Sequence, residues 1–237
     1  PAELRTFLRD QRSREGGPGD DAPESNGQRI RGIISPHIDL HRGGHAYAWP
    51  WREVAASCDA DVFVIFGTSH MGTSPVDSFS EAPGPLYALT RKTFLTPLGE
   101  IPTDTDLVDR LVEAYEGDAS DLFAGEFHHK GEHSIEFQTV YLAHLFSGQR
   151  PITILPILCG GLHDLAGSPT ADPRFAAFHR ALRTALAPIA RERIAFVAGI
   201  DLAHVGVQFH EPPVSEQDLV RVEEADRKTL AIALDQR

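Results

Sequence analysis

The sequence predicts a three-layer α/β/α fold around a central mixed or parallel sheet. Three observations predict it. Short apolar runs suited to strands alternate with longer stretches suited to helices, the pattern of an α/β domain. One run, Asp61–Phe66, is almost continuously apolar, as expected of a strand covered on both faces. Three of the runs pass directly into a histidine. Ile30–Ile34 ends in Ser35-Pro36-His37, Val62–Phe66 in Gly67-Thr68-Ser69-His70, and Ile194–Val197 in Gly199-Ile200-Asp201-Leu202-Ala203-His204. In open α/β sheets ligands sit in the crevice outside the carboxyl ends of the strands. Histidines delivered there point to a metal or substrate site.

The elements follow in chain order. Residues 1–11 suit a short helix, and Arg12 to Gln28 is a polar Gly/Pro-rich stretch expected to be mobile, lacking apolar residues to offset ordering entropy. Residues 1–29 are thus an N-terminal helix plus a polar segment, and 30–237 read as a single α/β domain. Strand 30–34 leads into a loop, 35–44, and a helix over 45–58 broken early by Pro50. Strand 61–66 is followed by a long irregular stretch, 68–102, holding one short strand at 86–89; so long a connection is expected to be functional. Thr103 or Asp104 caps a helix to about Tyr115. Residues 125–131 read as a loop, 134–146 as a helix capped by Ser134, and 152–158 as a strand. Pro173 opens a helix over 174–190, strand 194–197 follows, and a last helix spans about 215–234. Its start, Ser215-Glu216-Gln217-Asp218, resembles a capping box with Asp in place of the usual Glu or Gln, a weak version of the signal.

Composition narrows the function. At 237 residues and 41% hydrophobic, the chain suits one large domain with a real core. A net charge of −12 with scattered Arg and Lys argues against a nucleic-acid partner. No apolar run is long enough to span a membrane and no signal peptide is visible, so a cytoplasmic protein is expected. Cys58 and Cys159 do not make a disulfide framework. They read as small buried residues, although Cys159 directly follows a strand. Dinucleotide and P-loop fingerprints are absent.

Four polar constellations carry the candidate chemistry. In the first, His37 is a metal ligand, His41 and Arg42 would orient an anionic substrate, and Gly43-Gly44 allow a tight turn or a close ligand approach. In the second, His70 is a ligand, and Gly67 lets the chain leave the sheet sharply. Ser69 would be a nucleophile only beside a base, and it lacks the setting of a nucleophile elbow. In the third, His129-Lys130-Gly131-Glu132-His133 matches the inverted zinc-protease pattern, although Gly131 disfavours a helix there. His133 alternatively serves as a proton shuttle or substrate contact, with Glu132 and Glu136 in supporting roles. In the fourth, Asp201 binds metal or orients a histidine, and His204 is a ligand or a general base. Asp77, Asp104, Asp106 and His163 read as caps or solvated groups.

Ser35-Pro36-His37, Gly67-Thr68-Ser69-His70, Thr93–Gly99, Glu132-His133-Ser134-Ile135-Glu136 and Asp201-Leu202-Ala203-His204, in this order and spacing, resemble the MEMO family, called AmmeMemoRadiSam system protein B in prokaryotes. That family is similar to class III extradiol dioxygenases, which implies a sandwich with a mixed sheet and a non-haem iron site. The resemblance implies His37 and His70 as metal ligands, His204 as a third site histidine and Asp201 as its neighbour. It implies acid/base work for His204 or His133. Dioxygenases add a late glutamate ligand and MEMO proteins a late cysteine. No cysteine or obvious ligand block follows the last helix here, so the expectation is either a missing C-terminal portion or a lost ligand.

The metal stays open. Two histidines and a carboxylate such as Asp201 suit non-haem iron, imidazoles suit copper, and three histidines with water suit zinc. Iron or copper is favoured. The leading reading is a metal-binding, MEMO-like oxidoreductase, dioxygenase-like in chemistry, acting on a small molecule. The alternatives are an accessory protein that binds an anionic peptide in a vestigial pocket, associated with a radical-enzyme system, and a zinc hydrolase built on His129 and His133. A homo-oligomer is compatible with each.

Overall fold

The computed structural model describes residues 1–21, 27, 29–74, 85–160 and 168–234. These divide into two compact units, Pro1–Ile200 and Asp201–Arg237. The first unit is a three-layer α/β/α sandwich. Its elements are α1 (Ala2–Ser13), β1 (Gly32–Ser35), α2 (Leu40–Ser57), β2 (Val62–Thr68), β3 (Tyr87–Leu89), β4 (Phe94–Thr96), β5 (Gly99–Ile101), α3 (Thr105–Ala114), α4 (Asp121–Ala124), α5 (His133–Phe146), β6 (Thr153–Cys159), α6 (Pro173–Leu186) and β7 (Ile194–Gly199). The central sheet runs β1-β7-β2-β6-β3. The first four of these are mutually parallel and β3 is antiparallel to β6, so the sheet is mixed.

Strand alternation sorts the core into two halves. On β2, Phe63 and Ile65 join Tyr47, Trp51 and Tyr141 on the α2/α5 face. Val62 and Val64 join Leu107, Leu111 and Phe178 on the α3/α6 face. Both faces of β2 are covered, which explains its unbroken apolar run. The register places Ser35, Gly199, Gly67 and Leu158 side by side, so the loops after β1, β7, β2 and β6 all leave one edge of the sheet.

Several expected elements are corrected. Helix α2 begins at Leu40, not His45, because Asp39 caps it by accepting from the His41 N–H at 2.7 Å. It runs straight through Pro50, since Tyr47, Trp51 and Val54 bury one continuous face on either side. Packing of this kind outweighs the roughly 3 kcal/mol that an interior proline costs. Gly43 and Gly44 therefore make neither a turn nor a ligand approach; both lie inside α2, and a Cβ on Gly44 would meet the Gln11 side chain of α1 at 2.7 Å. The stretch after α1 is in part anchored, not mobile: Trp49 Nε1 donates to the Gly16 carbonyl and Arg52 to that of Pro18.

The hairpin β4–β5 was not expected; Gly99, at φ 144°, permits its second strand to start. Residues 125–131 are not a plain loop. Residues 126–130 form a 3-10 turn after the short helix α4. Helix α6 stops at Leu186, and Pro188, which has no N–H to donate, cannot extend the helical ladder past Ala187. Asp104 caps α3 as expected, by accepting from the Leu107 N–H. Asp77 and His163 lie outside the described residues.

The second unit holds a loop, a 3-10 turn at Val207–Phe209 and α7 (Glu216–Leu234). Its capping box is complete after all. The Ser215 N–H donates to Asp218 Oδ2 at 3.0 Å, and the Asp218 N–H donates back to Ser215 Oγ at 3.2 Å. Among the described residues no helix is long and apolar enough to cross a membrane.

Candidate metal centre

At the shared edge of the first unit, His37, His70 and His133 converge. Each offers a ring nitrogen, and these nitrogens lie within 4.8 Å of one another. The rings of His70 and His133 stack, 4.9 Å apart and 11° from parallel, and the ring of His37 stands nearly perpendicular to both. His37 arrives two residues beyond β1, His70 two residues beyond β2, and His133 as the first residue of α5. His37 is buried and the other two are partly exposed, so the cluster reaches from the interior to the surface.

The partners of these rings decide what they can do. His37 Nδ1 lies 2.9 Å from the Gly199 carbonyl at the end of β7. A carbonyl only accepts, so Nδ1 carries the proton and Nε2 the lone pair. Glu132 performs the same service for His70. Both its carboxylate oxygens sit 3.0 Å from His70 Nδ1, and Oε2 also accepts from the His70 backbone N–H at 2.9 Å. The same carboxylate caps α5, accepting from the N–H groups of His133 at 2.8 Å and Ser134 at 3.1 Å. Burial raises the pKa of Glu132, but the hydrogen bonds from His70 and Ser134 outweigh that and hold it below the ordinary value. A buried anion orienting ligating imidazoles through their second nitrogen is the arrangement that tunes metal-bound histidines.

Helix α5 is fastened to both histidine loops. Ser134 Oγ donates to the Thr68 carbonyl at 2.8 Å, just before His70. Gln138 Nε2 donates to the Pro36 carbonyl at 2.9 Å, just before His37. Two glycines let the helix come so close. A Cβ on Gly67 would lie 2.5 Å from Ile135 Cγ1, and one on Gly199 would lie 2.8 Å from the Ser134 carbonyl oxygen. Gly67 thus sits within β2 and serves packing, not a sharp exit. Ser134 is not the helix cap; Glu132 is.

Other expected site residues are placed as follows. Ser69 donates to the Gly72 carbonyl inside a turn, with its N–H on the Cys159 carbonyl, and makes no pair with a base. His41 packs edge-on against Phe7 of α1. The inverted zinc-protease pattern does not form one helix: His129 lies in the 3-10 turn, Gly131 ends it, and α5 starts only at His133. His129 Nε2 bonds the Ala88 carbonyl, and Glu132 faces His70 instead. Burial pushes the Cys159 thiol up to about 12, which leaves it unreactive. Asp201 and His204 belong to the second unit, where His204 Nε2 lies 3.6 Å from the Asp201 carboxylate and Nδ1 lies 2.8 Å from the Leu202 carbonyl. The supporting role read for Glu132 in the sequence takes the form of orienting His70, a partner the sequence did not identify.

Three imidazoles, two of them with Nδ1 held by a carbonyl or a carboxylate, can hold a divalent metal ion and leave positions for water or substrate. A family model described as Memo-like protein matches residues 1–235. A MEMO1 family protein of Aquifex aeolicus is 26% identical over 218 residues, 90% of this chain and 47% of its own length. One from Methanosarcina mazei is 36% identical over 138 residues, covering 58% of this chain and 43% of that protein. One from Methanococcoides burtonii is 30% identical over 181 residues, covering 74% and 55%. The chain spans about half the length of the curated relatives it matches.

Proposed function

This chain belongs to the Memo-like family, and from that membership together with the tri-histidine cluster we propose that it is a metal-dependent oxidoreductase of non-haem iron or copper type. The observation that carries the reading is the ligand geometry: three ring nitrogens within 4.8 Å, with the Nδ1 of His37 and of His70 held by Gly199 and Glu132. His37, His70 and His133 would hold the ion. When bound, iron or copper supplies an electron-accepting centre for an oxygen-dependent oxidation of an electron-rich small molecule, as the kinship with extradiol dioxygenases implies.

The protein's own groups do the rest. The Gly199 carbonyl and the Glu132 carboxylate fix the imidazole orientations. Burial of His37 limits water around its ring. His204, paired with Asp201 in the second unit, is proposed to take a proton from the substrate. The fuller ligand set that the resemblance implies also gives Asp201 and His204 a hold on the metal. A cytoplasmic setting belongs to this reading and is supported by two unpaired cysteines.

Elemental analysis of untagged protein purified without added metal tests the proposal. Near-stoichiometric iron or copper is expected in the wild type and is expected to be lost in His37→Ala/His70→Ala and in His133→Ala. Zinc in the same place would redirect the chemistry toward hydrolysis. No bound metal, even after anaerobic loading, would sink the reading in favour of an accessory protein that meets its partner through a metal-free pocket. In Asp201→Ala/His204→Ala, loss of the metal assigns this pair as ligands. Retained metal with lost turnover assigns it to proton movement.

A further inference from the structure

A cavity of about 440 Å³ is lined by β4 and the residues before it, by the 3-10 turn, and by the first turn of α5. It includes none of His37, His70 and His133. Its size is within the range of small-molecule sites. Its apolar surface comes from Phe94, Leu95 and Phe127 within an otherwise polar lining, and the last two are 72% and 66% exposed. Two large apolar side chains left open at one cavity are a feature that an occupant would relieve.

The charged lining is balanced. Two ammonium groups, of Lys92 and Lys130, and two carboxylates, of Glu126 and Glu136, belong to the lining. Glu126 is held in place by the Thr90 hydroxyl, which donates to Oε1 at 2.8 Å. The Lys130 ammonium lies 5.6 Å from the Phe127 ring centroid, where it can meet an anionic group without leaving the aromatic face. His129 also lines the cavity, and burial holds its pKa at about 4, so the ring adds no charge. A simple anion would face two carboxylates here, and a simple cation two ammoniums. A ligand carrying both charges on an apolar body satisfies all four.

We propose that this cavity binds a small zwitterion with an apolar body, the chemistry of an α-amino acid bearing a large apolar side chain. The carboxylate faces Lys92 and Lys130, the ammonium faces Glu126 and Glu136, and the side chain rests against Phe94, Leu95 and Phe127. The site stands apart from the metal centre, and its occupancy is measured without reference to metal.

Calorimetric titration of the full chain with L-phenylalanine, 3-phenylpropanoate, 2-phenylethylamine and glycine decides the matter. L-Phenylalanine is expected to bind. Each of the other three, lacking one charge or the apolar body, is expected to bind about tenfold more weakly or worse. Phe127→Ala, at an exposed position that the core does not need, and Glu136→Gln are each expected to weaken L-phenylalanine by a similar factor. Equal binding of 3-phenylpropanoate or of 2-phenylethylamine would overturn the zwitterion class. No binding of L-phenylalanine, or undiminished binding in both variants, would overturn the site.

Discussion

Glu132 concentrates more consequences than any other side chain at the candidate centre. One carboxylate orients the His70 ring, anchors the His70 backbone and caps the helix that carries His133. Replacing it with glutamine keeps the size but removes the charge, and one amide oxygen cannot serve all these donors. Glu132→Gln is therefore expected to lower metal affinity by about 10–100-fold, the usual cost of losing a partner behind a ligating histidine. Competition against a chelator of known affinity measures it, and unchanged affinity would remove Glu132 from the centre. The same residue carries a pH signature. Its folded pKa is depressed, so its contribution to stability is present above the ordinary carboxylate pKa and is lost as pH falls through the folded value. The acid limb of a denaturation series is expected to be flatter in the variant than in the wild type. Sequence reading reached His37 and His70 as ligands because each follows an apolar strand directly. It left Glu132 between a supporting role and a helical zinc motif. The hydrogen bonds that settle its place come from a residue 62 positions away.

At the scale of elements, α5 is the piece that turns two strand ends into a three-histidine cluster. Its first turns bind the loop after β1 through Gln138 and the loop after β2 through Ser134. Closeness depends on the missing side chains of Gly67 and Gly199. Gly67→Ala would put a methyl group 2.5 Å from Ile135 Cγ1 and Ser134 Oγ. Overpacking of this kind costs about 1–3 kcal/mol. Here it would also push His133 away from His37 and His70. The expected result is a lower Tm together with weaker metal binding. A drop in Tm with full metal affinity would show that α5 can shift without disturbing the cluster. Local signals were legible where they were self-contained, as with the Asp104 cap and Pro173 at the start of α6. They misled where tertiary packing overrode them: Pro50 passes through α2, and Gly44, earlier in the same helix, serves its contact with α1. The β4–β5 hairpin escaped notice because its strands are only three residues long and alternate too briefly to show a period.

At the scale of the molecule, the candidate ligand set is a product of sheet order. His37, His70 and His133 are far apart along the chain, and β7, the last of the described strands in sequence, lies between β1 and β2 and supplies the Gly199 carbonyl to His37. The alternation of strands and helices foretold three layers around a mixed or parallel sheet. It could not foretell the order β1-β7-β2-β6-β3, because pairing between distant strands leaves no mark on local periodicity. An unfolded chain has no such cluster, so an ion held there binds the native state alone and must stabilise it by linkage. Free metal at about a hundred times its dissociation constant is expected to add about 2.7 kcal/mol to the stability of the wild type. Urea unfolding with and without iron, copper or zinc reads this directly as a shift in midpoint. His37→Ala and His133→Ala should lose the shift equally, although one ligand follows a strand and the other opens a helix. A shift that survives in either variant would mean that the ion binds elsewhere, and that the convergence of the three rings is packing around a buried carboxylate, not a metal centre.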